Sequence, residues 1–172
     1  GFECAGHPGL DDVSTMALIP VAKDKLSIPV VAGGGICDRR TFTAAMALGA
    51  DGVIMGTRFV ATKECEIHEN WKQLILDSNE TDTMVVQRAV RNANRVWKGS
   101  DTAKWTLETE QSWDPNADHG GKQLIDVLLT RISGKIQRVH YVDGDINGCL
   151  FPMGLCVGQI HDIKTIPEIF ED

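Results

Sequence analysis

The chain has 172 residues, of which 42% are hydrophobic and 24% charged, values typical of a protein that folds around its own core. Its net charge of −7 and the lack of a basic run argue against nucleic acid or an anionic membrane as the main partner. No apolar run reaches about 18 residues, which argues against a membrane span, and no secretory signal peptide opens the sequence.

The five cysteines are scattered, odd in number and without a C-x-x-C pair. This pattern is typical of reduced thiols, so we predict a cytoplasmic protein. The sequence begins without Met, in what looks like the end of a strand running into a loop. We therefore expect it to be part of a longer protein.

The first residues are predicted to form a glycine-rich loop that carries His7 and is closed by Asp11-Asp12. An acidic pair before an apolar-periodic segment is a helix-start signal, so we predict a helix over residues 12–25, bent or restarted at Pro20. Residues 28–32 show no alternation of polar and apolar residues. They predict a strand buried on both faces, as in a parallel sheet.

A β–α–β unit follows. Three glycines, at positions 33–35, end the first strand, and Asp38 is a candidate N-cap for a helix that stops at a left-handed Gly49. The second strand, residues 53–55, also runs into a glycine loop, Gly56-Thr57. The right-handed crossover rule makes the two strands parallel.

The rest of the chain is predicted as a series of shorter elements. Residues 91–118 are polar and hold three of the tryptophans, so we interpret them as an irregular subdomain packed on those rings. The other predicted elements are a short helix to residue 61, an amphipathic helix over 64–76, a strand over 83–90, and helices over 118–131, 155–160 and 162–172.

The two glycine loops predict a phosphate site. Backbone N–H groups can approach a phosphate closely at glycine, and β/α barrels often build such a site from the loops after two successive strands. Gly34, Gly35, Gly56 and Thr57 fit this pattern, although glycines also serve simply as tight turns. The fingerprint of a Rossmann fold is weak and that of a P-loop is absent.

His7 is the candidate catalytic residue. Its neighbours are almost without side chains, so the loop would expose the imidazole to a pocket, where it can take or give a proton near neutral pH. Glu3 is a candidate to orient it, and a solvated turn is the plainer alternative. The remaining histidines, at positions 68, 119, 140 and 161, are interpreted as structural or surface residues, and no metal site is predicted.

These segments resemble the nitronate monooxygenase family. Residues 1–9 resemble its E-x-G-G-H-x-G segment, and residues 29–59 resemble its PV-x-A-x-GGI-x-D-x-R and MGTRF block. The similarity continues through residues 64–72 and into the G-D, G-Q and D-I positions near the end of the chain. In one departure, Arg39 stands where the family commonly has glycine.

The resemblance implies an α/β fold, the C-terminal portion of a TIM-type (β/α)8 flavin-binding barrel with a small mainly helical subdomain. We predict a barrel segment over residues 1–78, the subdomain over 79–143, and a return to the barrel over 144–172.

The resemblance also implies a site. His7 corresponds to the catalytic histidine. The segments that contact flavin mononucleotide (FMN), chiefly its phosphate, correspond to Gly34, Gly35, Met55, Gly56 and Thr57, and Ala5 lies close to the flavin. The implied reaction is oxidation of an alkyl nitronate by flavin and dioxygen to a carbonyl compound and nitrite, with His7 as the base when a neutral nitroalkane is the substrate.

Other functions stay open. Within the same group of flavoproteins, an enoyl-acyl carrier protein reductase or an NADH:quinone reductase is the main alternative. The glycine loops alone would also suit a sugar-phosphate isomerase or aldolase without flavin. A further alternative is an inactive barrel fragment, because only about three barrel strands can be placed and closure needs eight. The oligomeric state is open.

Overall fold

The computed structural model describes residues 1–114 and 122–171. Four short strands, eight α-helices and one 3₁₀ helix occur among them. In chain order they are α1 (Thr15–Lys25), β1 (Val31–Gly33), α2 (Arg39–Ala47), β2 (Gly52–Ile54), α3 (Thr57–Val60), α4 (Glu69–Asp77), β3 (Thr83–Val86), β4 (Asn94–Trp97), α5 (Asp101–Ser112), α6 (Lys122–Ile132), α7 (Gly134–Asp143), the 3₁₀ helix (Leu155–Gln159) and α8 (Ile166–Glu171).

The predicted β–α–β unit is confirmed. β1 and β2 are parallel, with Val31 opposite Gly52 and Gly33 opposite Ile54, and α2 connects them. Asp38 caps α2 in a capping box, in which its Oδ1 accepts from Thr41 N at 2.9 Å. Gly49 has the positive φ that was predicted, +102°, immediately after the helix ends.

The prediction that the first strand is buried on both faces is wrong. Ala32 is buried, but Val31 is 62% exposed, and so is Ile54 of β2 at 66%. The face of this small sheet that carries Val31 and Ile54 is therefore open, and among the described strands β1 and β2 pair only with each other.

The first helix begins later than predicted. Asp12 has φ +52°, which is incompatible with a right-handed helix, and Ser14 is the residue that caps α1 by accepting from Ala17 N at 3.2 Å. The helix continues through Pro20. The amphipathic helix α4 likewise begins at Glu69, because His68 Nδ1 caps it by accepting from Asn70 N.

The region after α4 is more regular than predicted. β3 stops at Val86 because Gln87 adopts φ +64°, and it pairs in antiparallel fashion with β4. β4 and α5 lie where we expected irregular structure, so that prediction is wrong. Trp105 and Trp113 pack beside the cluster that β3, β4, α5 and α6 form.

The helix predicted over residues 118–131 is described only from Lys122 onward, as α6, and His119 lies outside the described residues. In α6, Leu124 and Leu128 are buried, whereas Ile125, Val127 and Leu129 are exposed, because only a narrow stripe of the helix packs against the core. Farther on, residues 155–159 form a 3₁₀ helix rather than an α-helix, and the last helix begins at Ile166.

The C-terminal segment packs against α4 and against the first loop. Trp71 of α4 is fully buried and stacks on Phe151 with ring centroids 4.6 Å apart, while its Nε1 donates to the Tyr141 carbonyl. Leu155 N donates to the Glu3 carbonyl at 3.0 Å, which brings this segment beside the first loop. The proposed division of the chain at residues 78 and 143 stays a prediction. Among the described helices, none is both long and apolar enough to span a membrane.

Candidate active site

A cavity of about 490 Å³ lies where the two glycine loops meet. Because β1 and β2 are parallel and in register, the residues that follow Gly33 and Ile54 emerge side by side at one edge of the sheet. Six of the seven predicted site residues line this cavity, and they are Ala5, Gly34, Gly35, Met55, Gly56 and Thr57.

The glycines in these loops are required for different reasons. Gly34 has φ +103°, and a Cβ atom there would lie 2.9 Å from Cys4 N, so the fold itself demands glycine. Gly35 also has positive φ, at +74°. Gly56 has an ordinary φ of −103°, and a Cβ atom there would meet no atom within 4 Å. The fold gives no reason for glycine at position 56, whereas a ligand lying against its backbone would.

No lysine or arginine is among the described residues that line the cavity. An anionic group in it would therefore be bound by backbone N–H groups rather than by a side-chain cation. The N-terminus of α2 does not add an open helix end, because the Asp38 carboxylate already caps it. Thr57 Oγ1 accepts from Gly154 N at 3.0 Å, and its own proton can be donated either to the Cys156 sulfur or to a ligand in the cavity.

Glu3 does not orient His7 as predicted. Its carboxylate accepts from Thr15 N and lies 2.8 Å from Thr15 Oγ1, which is also 2.9 Å from the Gly34 carbonyl oxygen. The single proton of the Thr15 hydroxyl is therefore shared between the carboxylate and the glycine loop. Glu3 stabilises the start of α1 and the shape of the first glycine loop.

His7 is exposed and does not line the cavity. The backbone just before it is held firmly, because Gly6 N donates to Arg95 O at 3.2 Å and Arg95 N donates to Gly6 O at 2.6 Å. The cavity wall extends to Ala5, two residues from His7. The imidazole is exposed as predicted, but it does not face the cavity between the glycine loops, and its catalytic role stays a prediction.

Arg95, in β4, contacts the first loop and not the cavity itself, and the sequence did not reveal this role. It is only 4% exposed, its Nε donates to the Phe2 carbonyl at 3.1 Å, and its guanidinium lies over the Phe2 ring. Among the described residues no carboxylate forms an ion pair with it, and burial lowers its pKa. Backbone and side chain of Arg95 together fix the loop that ends in His7.

Gly154 and Cys156 also line the cavity and were not predicted. A Cβ atom on Gly154 would lie 3.1 Å from the Glu3 carbonyl oxygen and 3.2 Å from Ala5 N, so glycine allows the C-terminal segment to lie against the first loop. A second cavity, of about 580 Å³, adjoins the first through Gly34, Gly35 and Cys156. Its other walls are mostly apolar side chains of α1 and α2.

A parallel β–α–β unit with glycine loops around a cavity at the carboxyl ends of its strands is the phosphate-binding arrangement of a β/α barrel. A profile of the nitronate monooxygenase family matches residues 1–165, and the chain belongs to that family.

Relatives with curated names support the same family. The chain is similar to a probable nitronate monooxygenase of Bacillus subtilis (strain 168), with 38% identity over 122 residues, which is 64% of this chain and 33% of that protein. A probable nitronate monooxygenase of Staphylococcus haemolyticus (strain JCSC1435) is 51% identical over 94 residues, or 49% of this chain and 26% of that protein.

Two solved structures share the fold. FabK from Thermotoga maritima superposes with a TM-score of 0.83 and 32% identity, over 100% of this chain and 50% of FabK. A nitroalkane oxidase from Streptomyces ansochromogenes superposes with a TM-score of 0.73 and 22% identity, over 99% and 48% of the two chains. The predicted fold class, part of a TIM-type barrel with a small, mainly helical subdomain, is confirmed. The chain spans from about a quarter to half of the length of these relatives.

Proposed function

We propose that this chain provides the phosphate-binding loops and the catalytic histidine of an FMN-dependent oxidoreductase that converts alkyl nitronates and dioxygen into carbonyl compounds and nitrite. The observation that carries the proposal is the cavity between the two glycine loops. None of the described residues that line it is a lysine or an arginine, and at Gly56 it offers the open space that a ligand would fill.

The residues present fit FMN. The phosphate would be held by backbone N–H groups of Gly34, Gly35 and Gly56 and by the Thr57 hydroxyl, which still has a proton to donate. Met55 and Ala5 would contact the rest of the cofactor. When bound, the flavin supplies the electron-accepting chemistry.

The chain's own chemistry in this reaction is proton transfer. A neutral nitroalkane becomes a nitronate by losing the proton on the carbon next to the nitro group. His7 has an exposed imidazole on a loop whose backbone Arg95 fixes, and its neutral form can accept that proton near pH 7. A preformed nitronate has already lost the proton and needs no base.

Two measurements on the purified protein test this function. Titration with FMN, followed by flavin fluorescence, should show saturable binding, and addition of propionate 3-nitronate in air should release nitrite. A protein that binds no flavin and stays colourless would contradict the proposal and favour a sugar-phosphate enzyme of the barrel type.

A flavin-dependent enoyl or quinone reductase is the second candidate. It is favoured by the likeness to FabK, which is 32% identical over the whole of this chain, against 22% for the nitroalkane oxidase. Anaerobic bleaching of the flavin by NADH, without nitrite release from propionate 3-nitronate, would favour the reductase. Nitrite release without oxidation of NADH would favour the nitronate enzyme.

A further inference from the structure

Two cysteines that the proposed reaction does not use lie behind the glycine loops. Cys37 is 4% exposed and Cys156 is 5% exposed, and they are 119 residues apart in the chain. Cys37 Sγ lies 3.7 Å from the Cys156 carbonyl oxygen and 3.5 Å from Gln159 Oε1, so the fold brings the two cysteines next to each other. Both belong to one buried cluster, and both are free.

Cys156 is the member of the pair that faces the candidate site. It lines both the 490 Å³ cavity and the 580 Å³ cavity, whereas Cys37 lines neither and borders a separate, smaller cavity of about 110 Å³ beside Arg58. A small oxidant that enters the candidate site therefore meets Cys156 rather than Cys37.

The surroundings favour a thiolate at Cys156. The hydrogen bond from Cys37 lowers the pKa of Cys156 and outweighs the opposing effect of burial, and the Arg58 guanidinium and the Thr57 hydroxyl act in the same direction. Arg58 is itself buried, and its Nε has no hydrogen-bond partner among the described residues. The same hydrogen bond raises the pKa of Cys37, which keeps its proton.

We propose that Cys37 and Cys156 form a redox-sensitive dithiol beneath the glycine loops, which a peroxide converts to a disulfide. Cys156 attacks hydrogen peroxide as the thiolate, the O–O bond breaks, and a sulfenic acid forms while hydroxide leaves. Cys37 sulfur then attacks the Cys156 sulfur, the S–O bond breaks, and the proton of Cys37 leaves with the hydroxide as water. In sum, two thiols and one peroxide give one disulfide and two waters.

The dithiol and the cofactor site share a donor. Thr57 has one hydroxyl proton, and a phosphate in the cavity competes with the Cys156 thiolate for it. The disulfide would also tie the loop before α2 to the 3₁₀ helix and so alter the cavity wall. Oxidation should therefore weaken FMN binding, and bound FMN should protect Cys156. This coupling to FMN rests on the proposed function, whereas the cross-link does not.

Peptide mapping of the peroxide-treated protein tests the cross-link. The purified protein is treated with hydrogen peroxide, alkylated, digested without reductant and analysed by mass spectrometry. We expect a peptide pair joined through Cys37 and Cys156 that dithiothreitol releases. Burial raises the pKa of Cys149 to about 12, so this third buried cysteine serves as the internal control and should stay alkylatable. Full alkylation of both Cys37 and Cys156 after treatment, or loss of Cys149 at the same rate, would overturn the proposal.

Two variants and FMN separate the steps. In Cys37→Ala the Cys156 sulfenic acid should persist and react with dimedone, and in Cys156→Ala no dimedone adduct should form at Cys37; the reverse pattern would overturn the assignment.

FMN at about ten times its dissociation constant should slow oxidation of Cys156 about tenfold, because only the unliganded fraction reacts. If FMN binds without slowing it, the dithiol is not coupled to the cofactor site. If FMN does not bind and the cross-link still forms, the proposed function fails and the dithiol stands.

Discussion

Two glycines that look alike in the sequence have different roles in the structure. Gly34 is needed by the backbone, since its φ is +103° and Cys4 leaves no room for a side chain. Gly56 has ordinary backbone angles and open space around it. A substitution at Gly56 can therefore change ligand affinity without changing the stability of the fold.

Gly56→Val should block the approach of a phosphate while leaving the fold intact. We expect flavin to bind at least about tenfold more weakly, a loss of about 1.4 kcal/mol, and the free energy of unfolding to change by no more than about 0.5 kcal/mol. Flavin titration and urea unfolding measure the two effects. Gly134→Val is the matched control, because Gly134 also has open space but lies at the exposed start of α7. Equal flavin affinity in both variants would remove Gly56 from the site.

His7→Asn should separate proton removal from the later steps. We expect kcat/KM for a neutral nitroalkane to fall by about 100-fold, the lower end of what a general base contributes, with a much smaller change for the preformed nitronate. Flavin affinity should not change. His161→Asn provides a control at another exposed histidine. Equal losses on both substrates would argue against the base role.

At the scale of elements, one capping residue, Asp38, stabilises the N-terminus of α2. Burial opposes ionisation of Asp38, but hydrogen bonds from Thr41 and Arg40 outweigh it and hold the pKa of this carboxyl below its ordinary value of 3.8. A carboxyl whose pKa is lower in the folded state stabilises the protein above its unfolded pKa, and this contribution is lost as the pH falls through the folded pKa.

Asp38→Ala should lower the free energy of unfolding at pH 7 by about 1 kcal/mol, as expected for loss of an N-cap. The difference from the parent protein should shrink as the pH falls below 3.8 and vanish once Asp38 is protonated in the folded state. Urea unfolding at a series of pH values checks this. A difference that does not depend on pH would show that the charged carboxylate is not the source of the stability.

The sequence predicted elements best where local signals agree. Asp38, Gly49 and two short apolar runs were enough for the β–α–β unit. β4 and α5 were missed because they bury small or polar residues: β4 buries Asn94 and Arg95, and α5 buries two threonines and an alanine. No apolar periodicity marks such elements, since their burial depends on partners elsewhere in the chain.

The site residues also divide into those that local sequence signals indicate and those that depend on distant parts of the chain. Local spacing in the sequence indicates the glycines and Thr57. Gly154 and Cys156 come to the cavity from a distant part of the sequence, and Arg95 comes to the first loop in the same way. The orientation of Glu3 was mispredicted for a related reason. His7 is the nearer residue in the sequence, but the carboxylate of Glu3 binds Thr15, which is 12 residues away along the chain.

At the scale of the whole molecule, Trp71 joins α4 to the C-terminal segment through Phe151 and to α7 through Tyr141. Trp71→Ala should lower the free energy of unfolding by about 3–5 kcal/mol because it empties a closely packed site. Trp71→Phe keeps a ring but loses the Nε1 donor to the Tyr141 carbonyl, so it should cost about 1–3 kcal/mol. Urea unfolding measures both. Equal losses would mean that ring packing contributes little.

The two halves of the candidate site are attached to different sheets. The glycine loops continue from β1 and β2, whereas the loop with His7 is bonded through Gly6 to β4 of the second sheet. A small tilt between these sheets would change the distance from the histidine to the glycine loops. In an enzyme of the proposed kind, substitutions between the sheets could then accommodate longer or shorter substrates.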